Sequence, residues 1–187
     1  MRIRESDMPE EPEWSDFFDP VQVLKKIGLN NEVNDVADFG CGYGTFTIPA
    51  ARIVSGTVYA IDIDYEMIKI IRQKIKDVEI NNVVIIERDV FDSGLRCESV
   101  DYVFLFNILH TEHPLNLLKE AFRVLRKNGS VAIINWNLDP ETPRGPPIEM
   151  RPSLEQCIKW CVKTGFNLSS KRVYDLKPYH FGLVMKK

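Results

Sequence analysis

VNDVADFGCGYGTFTIPAARIVSGTVYAIDID, residues 33–64, decides the fold. Val36-Ala37-Asp38-Phe39 is a short apolar run of the kind that forms a buried strand, and it runs into glycines spaced two apart, Gly40, Gly42 and Gly44. The apolar segment Phe46 to Val54 follows at helical length. A second strand, Thr57 to Ile61, then stops at Asp62. Strand, glycine turn, helix, strand and acid, in that order, make one nucleotide-binding half of an α/β sheet. Glycine accepts positive φ and lets a ligand approach the backbone without meeting a Cβ, so this density of glycine marks a tight turn with something lying against it. The turn feeds a helix N-terminus, where free N–H groups and the positive end of the dipole attract acceptor groups. Asp62 stands where such sheets place the acid that accepts hydrogen bonds from ribose hydroxyls. The expected ligand is an adenosine derivative. A glycine turn in some other α/β protein, with Asp62 as an ordinary strand-end residue, is the competing reading.

Spacing narrows the ligand. The dinucleotide fingerprint is G-x-G-x-x-G, with a pyrophosphate at the helix end. Here Thr45 falls where the third glycine belongs, and Asp38 stands just before the turn, where it would repel a pyrophosphate but could pair with an ammonium. The D-x-G-x-G-x-G pattern of Asp38 to Gly44 resembles motif I of the class I S-adenosylmethionine (SAM)-dependent methyltransferases. The segment A-F-R-V-L-R-K-N-G-S-V, residues 121–131, is similar to the same stretch in methyltransferases related to the ubiquinone and menaquinone biosynthesis enzymes. Together these cover about residues 33–136, the expected cofactor-binding core.

The resemblance implies a Rossmann-like α/β fold, a doubly wound sheet of seven mostly parallel strands in the order 3-2-1-4-5-7-6, with strand 7 antiparallel and helices on both faces. It implies SAM as cofactor, with Asp38 near the methionine amino group, Gly40, Cys41, Gly42 and Gly44 forming the turn, and Asp62 on the ribose. Ile63 and Met67 would touch an adenine face. Asp89 would accept from the adenine amino group and the Val90 N–H would reach a ring nitrogen. Asn107 would contact the methionine end, and His110 would face the substrate. For Asp89 a helix cap or surface acid is the alternative, and plain core packing is the better reading for Ile68 and Ile71.

Along the rest of the chain, residues 1–13 are acidic, carry two prolines and lack apolar periodicity, so a mobile arm is expected there. Trp14, Phe17 and Phe18 crowd ahead of Pro20, and residues 14–30 read either as a lid over the cofactor or as a helix pinned to the core. Asp19 and Pro20 open a helix that Gly28 closes. Asp64 caps a helix over Tyr65 to Ile75. Val83-Val84-Ile85-Ile86 is a continuous apolar run expected of a parallel strand covered on both faces. Residues 91–99 are too short and polar for more than a small helix. Val100 to Phe106 is the fourth strand, Leu115 to Arg126 a helix ended by Asn128-Gly129, and Ser130 to Trp136 the fifth strand. A proline-rich loop spans 137–152. The C-terminal part, 153–187, is a helix over Leu154 to Thr164 and a hairpin of strands Asn167 to Tyr174 and His180 to Met185.

Length and composition set the outer bounds. At 187 residues, with 44% hydrophobic and 27% charged content, the chain reads as a single globular methyltransferase domain, 1–187. A net charge of −3 argues against a nucleic-acid partner. No apolar run reaches a membrane-spanning length and the N-terminus is charged, so neither a membrane span nor a signal peptide is expected. Cys41, Cys97, Cys157 and Cys161 lack C-x-x-C spacing and read as reduced thiols of a cytoplasmic protein. Cys157 and Cys161 share a helix face, as core packing or, alternatively, as a metalloid or redox pair. No metal site is expected.

The expected function is transfer of a methyl group to a small-molecule acceptor by in-line displacement. His110 is the candidate catalytic base for an acceptor that must lose a proton, with substrate contact and a structural role as its other readings. A SAM-binding, non-catalytic or regulatory subunit is the alternative. An NAD-dependent oxidoreductase is disfavoured by Thr45 and Asp38.

Overall fold

Apolar alternation and helix caps set the order of elements. The computed structural model describes residue 17, residues 19–138, residue 142 and residues 145–187. The expected arm at 1–13, the aromatics Trp14 and Phe18, and Asp139, Pro140, Glu141, Pro143 and Arg144 of the proline-rich loop lie outside the described residues. The elements are α1 (Pro20–Lys26), β1 (Val36–Phe39), α2 (Thr47–Ile53), β2 (Val58–Asp62), α3 (Tyr65–Asp77), β3 (Val83–Glu87) and β4 (Val100–Phe106). They continue with α4 (Pro114–Val124), β5 (Leu125–Trp136), a 3-10 turn (Ile148–Met150), α5 (Leu154–Thr164), β6 (Asn167–Leu176) and β7 (His180–Lys186).

The strands form one sheet in the order β3-β2-β1-β4-β5-β7-β6, parallel except for β7, which runs antiparallel to both neighbours. This is the Rossmann-like arrangement that the glycine unit implies. Strand alternation divides the core between the two faces. Val103 and Leu105 of β4, with Val131 and Ile133 of β5, face Leu117, Leu118 and Ala121 of α4 and Cys157 and Cys161 of α5. Tyr102, Phe104 and Phe106, with Ala132, Ile134 and Trp136, face Leu24 of α1 and Phe46 and Ala50 at α2. A period of two on strands and three to four on helices is what turns this sequence into two layers around a sheet.

The caps work as their residue types dictate. Asp19 accepts from the Gln22 N–H at 3.1 Å, Asp64 from the Glu66 N–H at 2.9 Å, and Ser153 and Gln156 close a reciprocal capping box on α5. No helix forms between β3 and β4. Both central cysteines of α5 are fully buried, and burial pushes the Cys157 thiol up to about 12, so packing rather than thiolate chemistry accounts for the pair.

Two expectations are corrected. The fifth strand starts at Leu125, not Ser130, because Leu125 already pairs with Val100, and Asn128-Gly129 is a kink inside it, with Asn128 at φ 67°, rather than the end of the helix. The third strand is not covered on both faces. It is the sheet edge, and Val84 is 45% exposed. An apolar run shows that a strand exists but not how many neighbours cover it. The opposite edge, β6, is blunted by Lys171, Arg172 and a register shift between Asn167 and Arg172.

Candidate ligand site

The carboxyl ends of β1, β2 and β4 meet at the point where strand order reverses, the crevice in which open α/β sheets bind ligands. β1 leads into the glycine turn, where Gly40, Gly42 and Gly44 all have positive φ. The Gly40 and Cys41 N–H groups both donate to the Ile61 carbonyl, at 2.8 and 3.1 Å, and so tie the turn to β2. The Gly42 N–H donates to Asp62 Oδ2 at 2.9 Å, and the Asp64 N–H donates to Asp62 Oδ1 at 2.9 Å. Asp62 therefore braces the turn and the start of α3 at once.

Gly44 is both left-handed and crowded. Its φ is +79°, and a Cβ there would lie 2.9 Å from Ile71 Cδ1 and Cγ1. Gly44→Ala is expected to destabilise the protein by about 1–2 kcal/mol, from left-handed strain plus displacement of Ile71. Its melting temperature should fall below that of the unsubstituted protein.

Asp38 faces α2, where its Oδ2 accepts from the Thr47 hydroxyl at 2.6 Å. It is 3% exposed and Asp62 5% exposed. Among the described residues neither carboxylate has a basic partner in an ion pair. Burial pushes Asp38 up to about 7, opposed by the Thr47 hydrogen bond and reinforced by the negative charge of Asp62. Burial raises Asp62 as well, against the backbone N–H groups of Asp64 and Gly42 that hold its charged form. Cys41 is buried between them, and burial together with the two acids drives its thiol far up.

The other candidate residues spread around the same rim. Ile63 is 51% exposed beside Asp62, whereas Met67 is buried under α3 at 3%. Asp89 is exposed and its Oδ1 accepts from the Phe91 N–H at 2.9 Å, so one oxygen caps a turn; Val90 is half-buried. Asn107 follows β4 with φ 54°, its N–H donating to the Ile134 carbonyl at 2.7 Å. Its side chain is 9% exposed, and among the described residues its Oδ1 finds no hydrogen-bond partner. His110 is 9% exposed in the loop beyond, and burial lowers it to about 4, so it is neutral at pH 7.

Sequence reasoning passed over His180, which was only a strand boundary. It is fully buried, lies opposite Trp136 in the β5–β7 register, and brings its Nε2 to 3.4 Å from Asn107 Nδ2. Because β7 is antiparallel, its first residue lies at the carboxyl end of β5; a polar residue opening the last strand was the available signal. Arg151 was likewise missed. Its guanidinium donates to the carbonyls of Pro146 and Asn137 and to the Thr142 hydroxyl, and lies over the Trp136 ring at 5.4 Å. It gathers the described part of the proline-rich loop against the end of β5. Among the described residues no group of three His, Cys, Asp or Glu side chains converges as a metal site would, and no helix is long and apolar enough to cross a membrane.

The arrangement can hold a ligand that brings positive charge and hydrogen-bond donors to a buried acidic turn. Known proteins resemble this chain in sequence and fold. A family profile described as "Methyltransferase domain" matches residues 37–133. The demethylmenaquinone methyltransferase of Listeria welshimeri is 29% identical over 125 residues, covering 65% of this chain and 52% of its own. That of a Geobacillus species is 30% identical over 100 residues, covering 52% of this chain and 43% of its own. The chain thus spans about half the length of the curated relatives it matches. A crystal structure of a SAM-dependent methyltransferase from Aquifex aeolicus superposes with a TM-score of 0.84 at 29% identity, covering 94% of this chain and 93% of that one. Phosphoethanolamine N-methyltransferase 2 of Haemonchus contortus, solved with SAM, shares the fold at TM-score 0.75 and 16% identity, covering 90% of this chain and 52% of its own.

Proposed function

The chain belongs to the methyltransferase-domain family, and from that premise we propose that it is a SAM-dependent methyltransferase acting on a small molecule. One observation carries the reading: two buried carboxylates, Asp38 and Asp62, flank a glycine turn and among the described residues have no basic side chain in an ion pair to offset them. A buried acid needs a cation or donors, and a ligand that supplies both is the natural complement. SAM brings an ammonium, a sulfonium and two ribose hydroxyls. A dinucleotide would instead bring a pyrophosphate into repulsion with both acids.

In this reading Asp38 takes the ammonium, and Asp62 takes the ribose hydroxyls while bracing the turn of Gly40, Cys41, Gly42 and Gly44. Ile63 and Met67 lie on one side of the adenine, Asp89 uses its remaining oxygen on the adenine amino group, and the Val90 N–H meets a ring nitrogen. Asn107 receives the methionine end. Bound SAM supplies an electrophilic methyl carbon, open to in-line attack. The chain's own work is to exclude water and hold an acceptor atom ~3–3.5 Å away in line, a positioning effect of several kcal/mol.

His110 stands on the acceptor side. Neutral at pH 7, it can accept a hydrogen bond from the acceptor, but at about 4 it is a weak base in this environment. That same weakness favours the second reading, a SAM-binding subunit without turnover. Acceptors that ionise on their own, or carbon nucleophiles, need no stronger base. An aromatic ring of the demethylmenaquinone type heads the acceptor panel, since relatives bearing that name match this chain over 125 residues. With all four cysteines unpaired, the reducing cytoplasm is the fitting compartment.

Isothermal titration with SAM, S-adenosylhomocysteine (SAH) and NAD is the test. The expected result is binding of the first two and none of NAD. Binding of NAD alone would overturn the reading, and SAM binding without turnover across phenols, quinols, amines and thiols would favour the non-catalytic one.

A further inference from the structure

A side-chain contact between Asn107 and His180 joins the end of β4 to the start of β7. Phe39, the residue before the glycine turn, pairs with Leu105, so β1 and β4 end side by side and Asn107 follows the end of β4. Asn107 thus leaves the strand that neighbours the one feeding the turn, and its side chain meets His180 at the start of β7. Its backbone is left-handed, φ 54°, a conformation that Asn adopts more readily than most non-glycine residues.

His180 is held firmly. Its ring is fully buried, 4.0 Å from the Trp136 ring centroid and 6.4 Å from that of Phe17. Burial lowers it to about 3, helped by the nearby positive charge of Arg151, so its imidazole is neutral at any working pH. A neutral imidazole offers one bare ring nitrogen as an acceptor. Asn107 Nδ2 lies 3.4 Å from Nε2, so in the tautomer that leaves Nε2 bare the amide N–H donates to it, while Oδ1 is buried and without a hydrogen-bond partner among the described residues. A buried carbonyl oxygen left so costs about 1–3 kcal/mol unless a donor arrives. An ammonium at the glycine turn is such a donor.

We propose that His180 is a positioning residue for the cofactor: it holds the Asn107 carboxamide by its N–H so that Oδ1 faces the methionine ammonium of SAM. The proposal rests on the SAM reading above. It makes β7, an element outside the glycine unit, part of what sets the amino-acid end of the cofactor, and it ties that end to the aromatic cluster of Trp136 and Phe17.

The test compares two ligands that differ only at that end. SAH carries the amino acid, whereas 5′-methylthioadenosine keeps the nucleoside and thioether and lacks it. His180→Phe and His180→Leu remove the acceptor nitrogen, and the former keeps a ring against Trp136; either, if folded, suffices. Each is expected to weaken SAH binding about tenfold while changing 5′-methylthioadenosine binding by less than about twofold. Asn107→Ala should reproduce the effect, and combining it with His180→Phe should add nothing further. His180→Gln, whose Oε1 can accept from Asn107, should restore most of the SAH affinity. Equal losses for both ligands, or none for SAH, would overturn the proposal while leaving the SAM reading intact. A wild-type protein that bound neither ligand would overturn both.

Discussion

Asp62→Ala is expected to weaken SAM binding by about 10²–10⁴-fold, because two ribose hydroxyls would lose hydrogen bonds to a charged acceptor, each contributing about 1.5–3 kcal/mol. The side chain holds more than the ligand. Its two oxygens already accept from the Gly42 and Asp64 N–H groups, so removal frees two backbone donors and loosens the turn that the cofactor lies on. The loss should therefore extend to SAH and to 5′-methylthioadenosine equally, since both keep the ribose. Asp62→Asn separates the two roles. Its amide retains one oxygen for one backbone N–H but presents an NH₂ where the other stood, so the turn is half-braced and the charge is gone. Titration calorimetry on both variants, with circular dichroism to verify folding, reads the effect. Unchanged SAM affinity in a folded Asp62→Ala protein would remove Asp62 from the site.

The glycine unit was readable because every part of it is local. Asp38, Gly40, Gly42, Gly44 and Asp62 lie within 25 residues, and the types themselves state the geometry: glycine for positive φ, an acid at a strand tip for donors. The sheet order followed from the resemblance that these residues carry and from the closing hairpin. What the sequence did not disclose is long-range. Edge exposure of β3 depends on a neighbour that is not there, which no feature of Val83 to Glu87 records. The start of β5 at Leu125 is decided by pairing with Val100, 25 residues earlier, against a dipeptide, Asn128-Gly129, that locally reads as a terminator. His180 reaches Asn107 across 73 residues only because β7 inserts antiparallel between β5 and β6. His110, chosen for its residue type, is buried, and burial moves it away from the range in which a base works best at neutral pH.

Asp38 makes cofactor binding depend on pH, with a sign that can be worked out. Burial is the main force that lifts its carboxyl to about 7, so in the ligand-free protein the group holds a proton across a window where the unfolded chain, near 3.8, has already released it. The native state then binds more protons than the unfolded state between about pH 4 and 7, and stability without ligand falls as pH rises through that window and levels off above it. Ligand binding runs the other way. An ammonium pairs with the charged carboxylate, so binding below pH 7 must expel the proton, and SAM affinity should rise about tenfold per pH unit from 5 towards 7, roughly 100-fold in all. Above about pH 8 the α-amino group itself begins to lose its proton, which places the optimum between about 7 and 8. Near pH 6, titration in two buffers of different ionisation enthalpy should report close to one proton released per SAM bound. Asp38→Asn removes the titrating group but keeps an oxygen for the Thr47 hydroxyl. It should flatten the acid limb, lower affinity at pH 7.5 and raise the melting temperature of the ligand-free protein at that pH, where the native aspartate is charged and buried. SAM affinity independent of pH between 5 and 7 in the native protein would place the ammonium elsewhere and leave Asp38 as a partner of Thr47 alone.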